Sequence, residues 1–240
     1  MPPPPDHPLP PLAGNPLHDE RRRAGPIGRD DPRRQQLVRG YAYGIPTDEA
    51  LDAITAASPA GVVELGAGTG YWARLLHDRG VDVIAYDRWP PSSGDNRFVD
   101  AAPSWFPVRH GDEHVVARHP ERTLLLVWPT WNEPWAGDAA AQFHHAGGQT
   151  LVYVGEGPGG RTGDTILHAR LGLEASCLSC SLGVLDTPCV CEIAVLWQSI
   201  HHVALPQWAD ADDACTIYHR ATAVRRVRAA RPRRRRWRRD

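Results

Sequence analysis

Val62-Val63-Glu64-Leu65-Gly66-Ala67-Gly68-Thr69-Gly70-Tyr71-Trp72 is the stretch on which the reading of this chain turns. Val62 to Leu65 has the apolar density of a buried strand. Three glycines on alternate positions then interrupt it. From Tyr71 to Arg79, Trp72, Leu75 and Leu76 recur at helical spacing, and Gly80 stands where helices commonly end. A strand that feeds a helix through a glycine loop is the opening unit of a parallel α/β sheet. In such sheets ligands sit at the carboxyl ends of the strands, near the point where the strand order reverses.

Strand and helix patterns continue to alternate downstream. Val81–Tyr86 predicts a second strand that delivers Asp87 at its end, and Leu124–Trp128 and Thr150–Val154 predict two more. Helical patterns cover Trp135–His145 and Thr162–Leu171, with Thr162 as the expected N-cap. Ile193–Trp197 and Cys215–His219 predict closing strands. Upstream, Arg33–Tyr43 predicts a short helix. Thr47 then caps a second helix whose first turn carries Asp48 and Glu49 and whose apolar face holds Leu51 and Ile54. The fold class is therefore α/β, a doubly wound, mostly parallel sheet with helices on both faces.

Composition divides the chain. Residues 1–34 are rich in Pro and Arg and poor in apolar side chains, which predicts disorder; the ordered domain spans 35–220; residues 221–240 read as an Arg-rich flexible tail. The net charge of −1 conceals a split, since residues 225–240 hold ten Arg and one Asp. The body, residues 41–224, carries −12, and an acidic body lacks the face expected of a nucleic-acid-binding domain. Any polyanion would have to be met by the tail. All 27 basic residues are Arg, a bias that weakens a functional reading of Arg runs. No apolar run reaches the roughly 20 residues that span a bilayer, and no leader pattern opens the chain, so a cytoplasmic protein is expected. The five cysteines are expected as free or buried thiols. Cys189-x-Cys191 has one intervening residue, too few for the usual zinc spacing with Cys177-x-x-Cys180, and no metal is expected.

The glycine spacing narrows the ligand. A dinucleotide fingerprint would place its third glycine at 71, which is Tyr71. Glu64, inside the strand end, suits an ammonium group and not a pyrophosphate, and Asp87 can accept hydrogen bonds from two ribose hydroxyls. S-adenosyl-L-methionine (SAM) carries both groups and no phosphate. Gly66 is expected to turn the chain, Gly68 to let Ala67 and its neighbours approach the cofactor, and Gly70 to permit close helix–strand packing.

With those residues in view, Val63 to Ala73 resembles the cofactor motif of class I SAM-dependent methyltransferases. Ala42–Leu51, Ala85–Pro91, Leu124–Pro129, Val152–Glu156 and Leu205–Trp208 with Asp213 resemble recurrent segments of a largely uncharacterised methyltransferase-like group. The resemblance implies a Rossmann-like methyltransferase sheet. It further implies Glu64, Gly66, Ala67, Gly68, Gly70 and Asp87 as cofactor ligands, with Asp112 near the adenine or, alternatively, at a helix start. Trp128-Pro129-Thr130-Trp131 stands where many amino-group methyltransferases carry Asn or Asp before Pro-Pro-Tyr, so nucleobase N-methylation is disfavoured. Trp128 and Glu156 are expected to line the acceptor site, with Asp164 a further acid on the same edge. The expected acceptor is a small molecule, and no catalytic base can be named. A non-catalytic SAM-binding module and a tail-guided nucleic-acid methyltransferase are the alternatives.

Overall fold

The computed structural model describes residues 9–100, 103–173, 192–209 and 212–228, with the side chains of 192–195 and 222–228 excepted. Seven strands form one sheet: β1 Val62–Leu65, β2 Val83–Asp87, β3 Val108–His110, β4 Thr123–Val127, β5 Thr150–Gly155, β6 Glu192–Ala204 and β7 Ala214–Arg228. Their order is β3-β2-β1-β4-β5-β7-β6. β1 to β5 run parallel, whereas β7 pairs antiparallel with both β5 and β6. The expected fold class stands: an α/β, mostly parallel sheet with helices packed on both faces.

Helices α1 Pro16–Ala24, α2 Pro32–Gly40, α3 Asp48–Ala56, α4 Tyr71–Asp78, α5 Trp135–His145 and α6 Thr165–Arg170 complete the fold. Period-two alternation in the strands builds two cores. Val62, Leu125 and Val127 face a cluster with Leu51, Ile54 and Trp72, while Val63, Leu124 and Leu126 face Phe143 and Leu167. Thr47 caps α3 through the Ala50 N–H at 3.2 Å, as its position predicts.

Three expectations need correction. Residues 9–34 are not disordered: α1 buries Leu17 completely, and Ile27 is 3% exposed. Each such burial contributes about 1.5–3 kcal/mol towards holding this Pro/Arg-rich segment on the core. Asn15 fastens the same segment, accepting from the Tyr71 hydroxyl at 2.8 Å and donating to the Pro46 carbonyl at 2.8 Å. The expected tail begins inside the sheet, because β7 continues to Arg228 against β6; residues 229–240 lie outside the described residues. The cap of α6 is Asp164, which accepts from the Leu167 N–H at 2.8 Å; Thr162 lies before the helix and is used elsewhere. Cys177, Cys180, Cys189 and Cys191 fall outside the described residues, and Cys215 is a buried free thiol.

Candidate functional site

Strand order reverses between β1 and β4, and the loops after the parallel strands converge there. They enclose a cleft of about 430 Å³ whose walls come from the segments after β1, β2, β3, β4 and β5, together with Tyr41, Ala42 and Tyr43 from the strap between α2 and α3. That strap is held by three indoles. Trp105 donates to the Gly40 carbonyl at 2.8 Å, Trp208 to Tyr43 at 2.7 Å and Trp72 to Gly44 at 3.2 Å. Thr69 of the glycine loop adds a bond to the Tyr41 carbonyl.

The glycine loop is pinned to the neighbouring strand, with the Gly66 and Ala67 N–H groups donating to the Tyr86 carbonyl at 2.9 and 3.0 Å. Gly66 and Gly70 both sit at φ +76°, where a side chain is strained. A Cβ on Gly66 would stand 2.8 Å from the Trp135 ring, and one on Gly70 about 3.0 Å from the Phe106 backbone. The expected role of Gly70 is thus corrected. It makes room for the chain at Phe106, and it does not line the cleft, whereas Glu64, Gly66, Ala67, Gly68, Asp87, Asp112 and Trp128 do.

Glu64 is 1% exposed, and its Oε2 atom has no hydrogen-bond partner. Burial pushes its carboxyl up to about 8; the Ala73 N–H in the first turn of α4 works the other way, and the Asp87 charge adds to the rise. A buried carboxylate oxygen without a partner is costly unless a cation or donor arrives. Asp87, at the end of β2, accepts from the Gly68 N–H at 2.9 Å and the Trp89 N–H at 2.8 Å, with Asn96 at 3.4 Å. Its carboxyl is also raised by burial, against those two backbone bonds. Asp112 accepts from the His114 N–H at 3.1 Å, which gives it a turn-capping role at the cleft wall.

Trp128 follows β4 at φ +48°. Its ring stacks on Tyr43 with centroids 5.3 Å apart, and its Nε1–H donates to Asp213 at 2.6 Å. Asp213 had a place in the sequence only within a recurrent segment. It is 2% exposed, and burial pushes its carboxyl up to about 7.

Glu156 does not reach the cleft. Its carboxylate turns to Arg161, accepting from that residue's backbone N–H and lying 3.7 Å from its guanidinium, so Arg161 takes the expected place in the wall. Thr162 binds the Tyr153 hydroxyl at 2.6 Å and accepts from the Glu156 N–H at 2.8 Å. This closes the loop after β5 on itself. Tyr41, Tyr43, Asn96, Phe98, Val99 and Trp135 also line the cleft and had not been expected to. Their signal was weak because they lie outside the strand–loop–helix unit that marks the cofactor motif. Among the described residues no group of three or more His, Cys, Asp or Glu side chains could hold a metal ion, and no helix is long and apolar enough to cross a membrane.

No family model matches the chain, and no curated protein matches it. Solved structures do. Magnesium protoporphyrin IX methyltransferase from Synechocystis PCC 6803, with bound SAM, is 13% identical at a TM-score of 0.41, over 78% of this chain and 79% of that one. The tRNA (uracil-54, C5)-methyltransferase of Pyrococcus abyssi, in complex with S-adenosyl-L-homocysteine, is 11% identical at a TM-score of 0.41, over 75% of this chain and 40% of that one. Human N-acetylserotonin methyltransferase, in complex with SAM, is 14% identical at a TM-score of 0.38, over 72% of this chain and 50% of that one.

Proposed function

We propose that this protein is a SAM-dependent methyltransferase with a small-molecule acceptor. The observation that carries the reading is the pairing of Glu64 and Asp87 across the glycine loop. One is a buried carboxylate with an unmet oxygen, the other a carboxylate anchored by two backbone N–H groups at the end of the next strand. An amino-acid ammonium answers Glu64, and vicinal ribose hydroxyls answer the lone pairs that Asp87 has left. When bound, SAM supplies a methyl group already activated on its sulfonium.

The protein's own part is then placement. Glu64 and Asp87 orient the cofactor from β1 and β2. The strap at Tyr41–Tyr43 and the ring of Trp135 wall the cleft and restrict water. Asp112 holds the turn after β3 through the His114 N–H at 3.1 Å. Alignment and desolvation of this kind can supply much of the acceleration of a transfer between two bound molecules. A second reading, a SAM-binding module without turnover, is favoured by one observation. The position after β4 carries an indole whose N–H is already committed to Asp213, so no polar atom of that side chain is offered to an acceptor.

Calorimetry with SAM and S-adenosylhomocysteine tests the proposal. Wild type should bind near micromolar, about −8 kcal/mol, and Asp87→Ala should lose a factor of about ten or more. Thermal unfolding of Asp87→Ala beside wild type separates loss of the ribose contact from collapse of the loop, since the Gly68 and Trp89 N–H groups bind different oxygens of this carboxylate. Absence of binding by correctly folded wild type would dispose of the reading. Binding with no consumption of SAM against metabolite pools would favour the second one.

A further inference from the structure

Two carboxylates, at the ends of β1 and β2, lie on one side of the cleft. β4 lies on the other side of β1, and its half of the cleft is built differently. Trp128, Pro129 and Trp131 follow β4, Trp135 opens α5, and Tyr43 stacks on Trp128. Trp131 is 64% exposed although it lines the cleft, and Trp89, on the opposite rim, is 40% exposed. The other exposed large apolar side chains among the described residues, Ile166 and Ile200, lie elsewhere. Single exposed apolar residues are ordinary, but large aromatic rings converging on one cleft mark a contact surface.

The charges of the cleft point the same way. Arg88 pairs with Glu113 at 2.9 Å, Arg97 with Glu133 at 3.1 Å, and Arg161 lies 3.7 Å from Glu156. Asp87 and Asp112 accept backbone N–H groups. Glu64 alone among the acids lining the cleft keeps a buried carboxylate oxygen without a hydrogen-bond partner, and the proposed cofactor uses it. Every arginine in the wall is thus paired with a carboxylate, while Asp87 and Asp112 keep their negative charge, so the wall offers nothing to select an anionic acceptor.

The frame that carries Trp131 is rigid. The Gly163 N–H donates to the Pro129 carbonyl and the Asn132 N–H to the Gly163 carbonyl, both at 2.9 Å, and Thr130 bridges Thr162. A ring on such a frame loses little freedom when it stacks.

We infer that the methyl acceptor is a planar aromatic molecule without an anionic group, held by stacking against Trp131 and the Trp128–Tyr43 wall. The inference rests on the proposed cofactor site and extends it to the substrate class.

The test uses protein saturated with S-adenosylhomocysteine and three probes of similar size: 2-naphthol, decahydro-2-naphthol and 2-naphthoate. Binding is read by calorimetry at neutral pH. Wild type should hold 2-naphthol about tenfold or more tighter than either alternative. Trp131→Ala should lose that factor of about ten, Trp131→Phe should stay within about threefold of wild type, and both should bind S-adenosylhomocysteine as wild type does. The exposed position of Trp131 makes both variants safe for folding. Three outcomes overturn the inference alone: equal binding of the flat and saturated alcohols, tighter binding of the anion, or 2-naphthol binding unchanged in Trp131→Ala. Failure of wild type to bind S-adenosylhomocysteine overturns the cofactor reading and the acceptor inference with it.

Discussion

The indole N–H of Trp128 and the buried carboxylate of Asp213 lie 2.6 Å apart, joining the end of β4 to the start of β7 across 85 residues of chain. The bond keeps Trp128 at φ +48°, a conformation that costs a bulky residue about 1–3 kcal/mol. Removing Asp213 strips a partner from a half-buried indole and frees the strained residue. Asp213→Ala should therefore lose about 1–3 kcal/mol of stability in urea unfolding, with Asp213→Asn closer to wild type because it retains an acceptor oxygen. Equal stability of all three proteins would show that the bond does not hold Trp128 in place.

Glu64 gives the unliganded protein a distinctive pH dependence. Its folded value is about 8 against an ordinary 4.5, and that of Asp213 is about 7 against 3.8. A carboxyl raised by folding binds its proton more tightly in the folded state than in the unfolded one. Stability from these groups is therefore fully present below the ordinary values, declines as the pH climbs, and is gone above the folded values. The melting temperature should fall between about pH 5 and 8, and Glu64→Gln should flatten part of that fall. A ligand ammonium reverses the logic, because it needs the ionised carboxylate. Affinity for S-adenosylhomocysteine should rise by up to about tenfold per pH unit from pH 6 towards 8. The affinity of 5′-methylthioadenosine, which has no ammonium, should not follow. Parallel profiles for the two ligands would remove Glu64 from the ammonium site.

That Glu64, Gly66, Ala67, Gly68 and Asp87 share one cleft was legible because they belong to one strand–loop–helix–strand unit, in which sequence spacing is nearly spatial spacing. Asp213 was not legible as the partner of Trp128, since nothing local links position 213 to position 128. The strands at the far edge were read short, as Ile193–Trp197 and Cys215–His219. Register shifts at Val195/Trp197 and Ser199/His201 break the period-two pattern that a longer reading needs. Glu156 was misplaced because the end of a strand was taken to predict a side chain's direction, whereas the loop folds back and turns that carboxylate onto Arg161.

The glycines of the loop should fail differently. Gly66→Ala meets the edge of the Trp135 ring, which can swing, so its main loss should be in ligand affinity. Gly70→Ala meets backbone atoms of Phe106, which cannot move without displacing the chain. Both also bear left-handed strain of about 1–2 kcal/mol. Thermal unfolding should rank Gly70→Ala as the less stable variant, and calorimetry should rank Gly66→Ala as the poorer binder of the two that remain folded. The reverse ranking would mean that Trp135 is the more rigid neighbour.

The N-terminal segment provides the last test, because a disordered segment and a docked one respond oppositely to truncation. Leu17 and Ile27 are buried in the same core as Leu51 and Trp72. Arg21 donates to the Gln207 carbonyl and Arg74 to that of Pro10, both at 2.7 Å. Asn15 accepts from a Tyr71 hydroxyl whose ring is fully buried in the first turn of α4. Deleting residues 1–30 would expose that core face and leave the Tyr71 hydroxyl without its partner. Asn15→Ala alone should cost about 1–3 kcal/mol, measured by urea unfolding, and the deletion should cost more. Trypsin has cleavage sites at Arg21, Arg22 and Arg23, and α1 in its docked state should resist cutting there under conditions where the Asn15→Ala protein is nicked. A truncated protein as stable as the full chain would show that the packing of Leu17 and Ile27 contributes nothing to the fold.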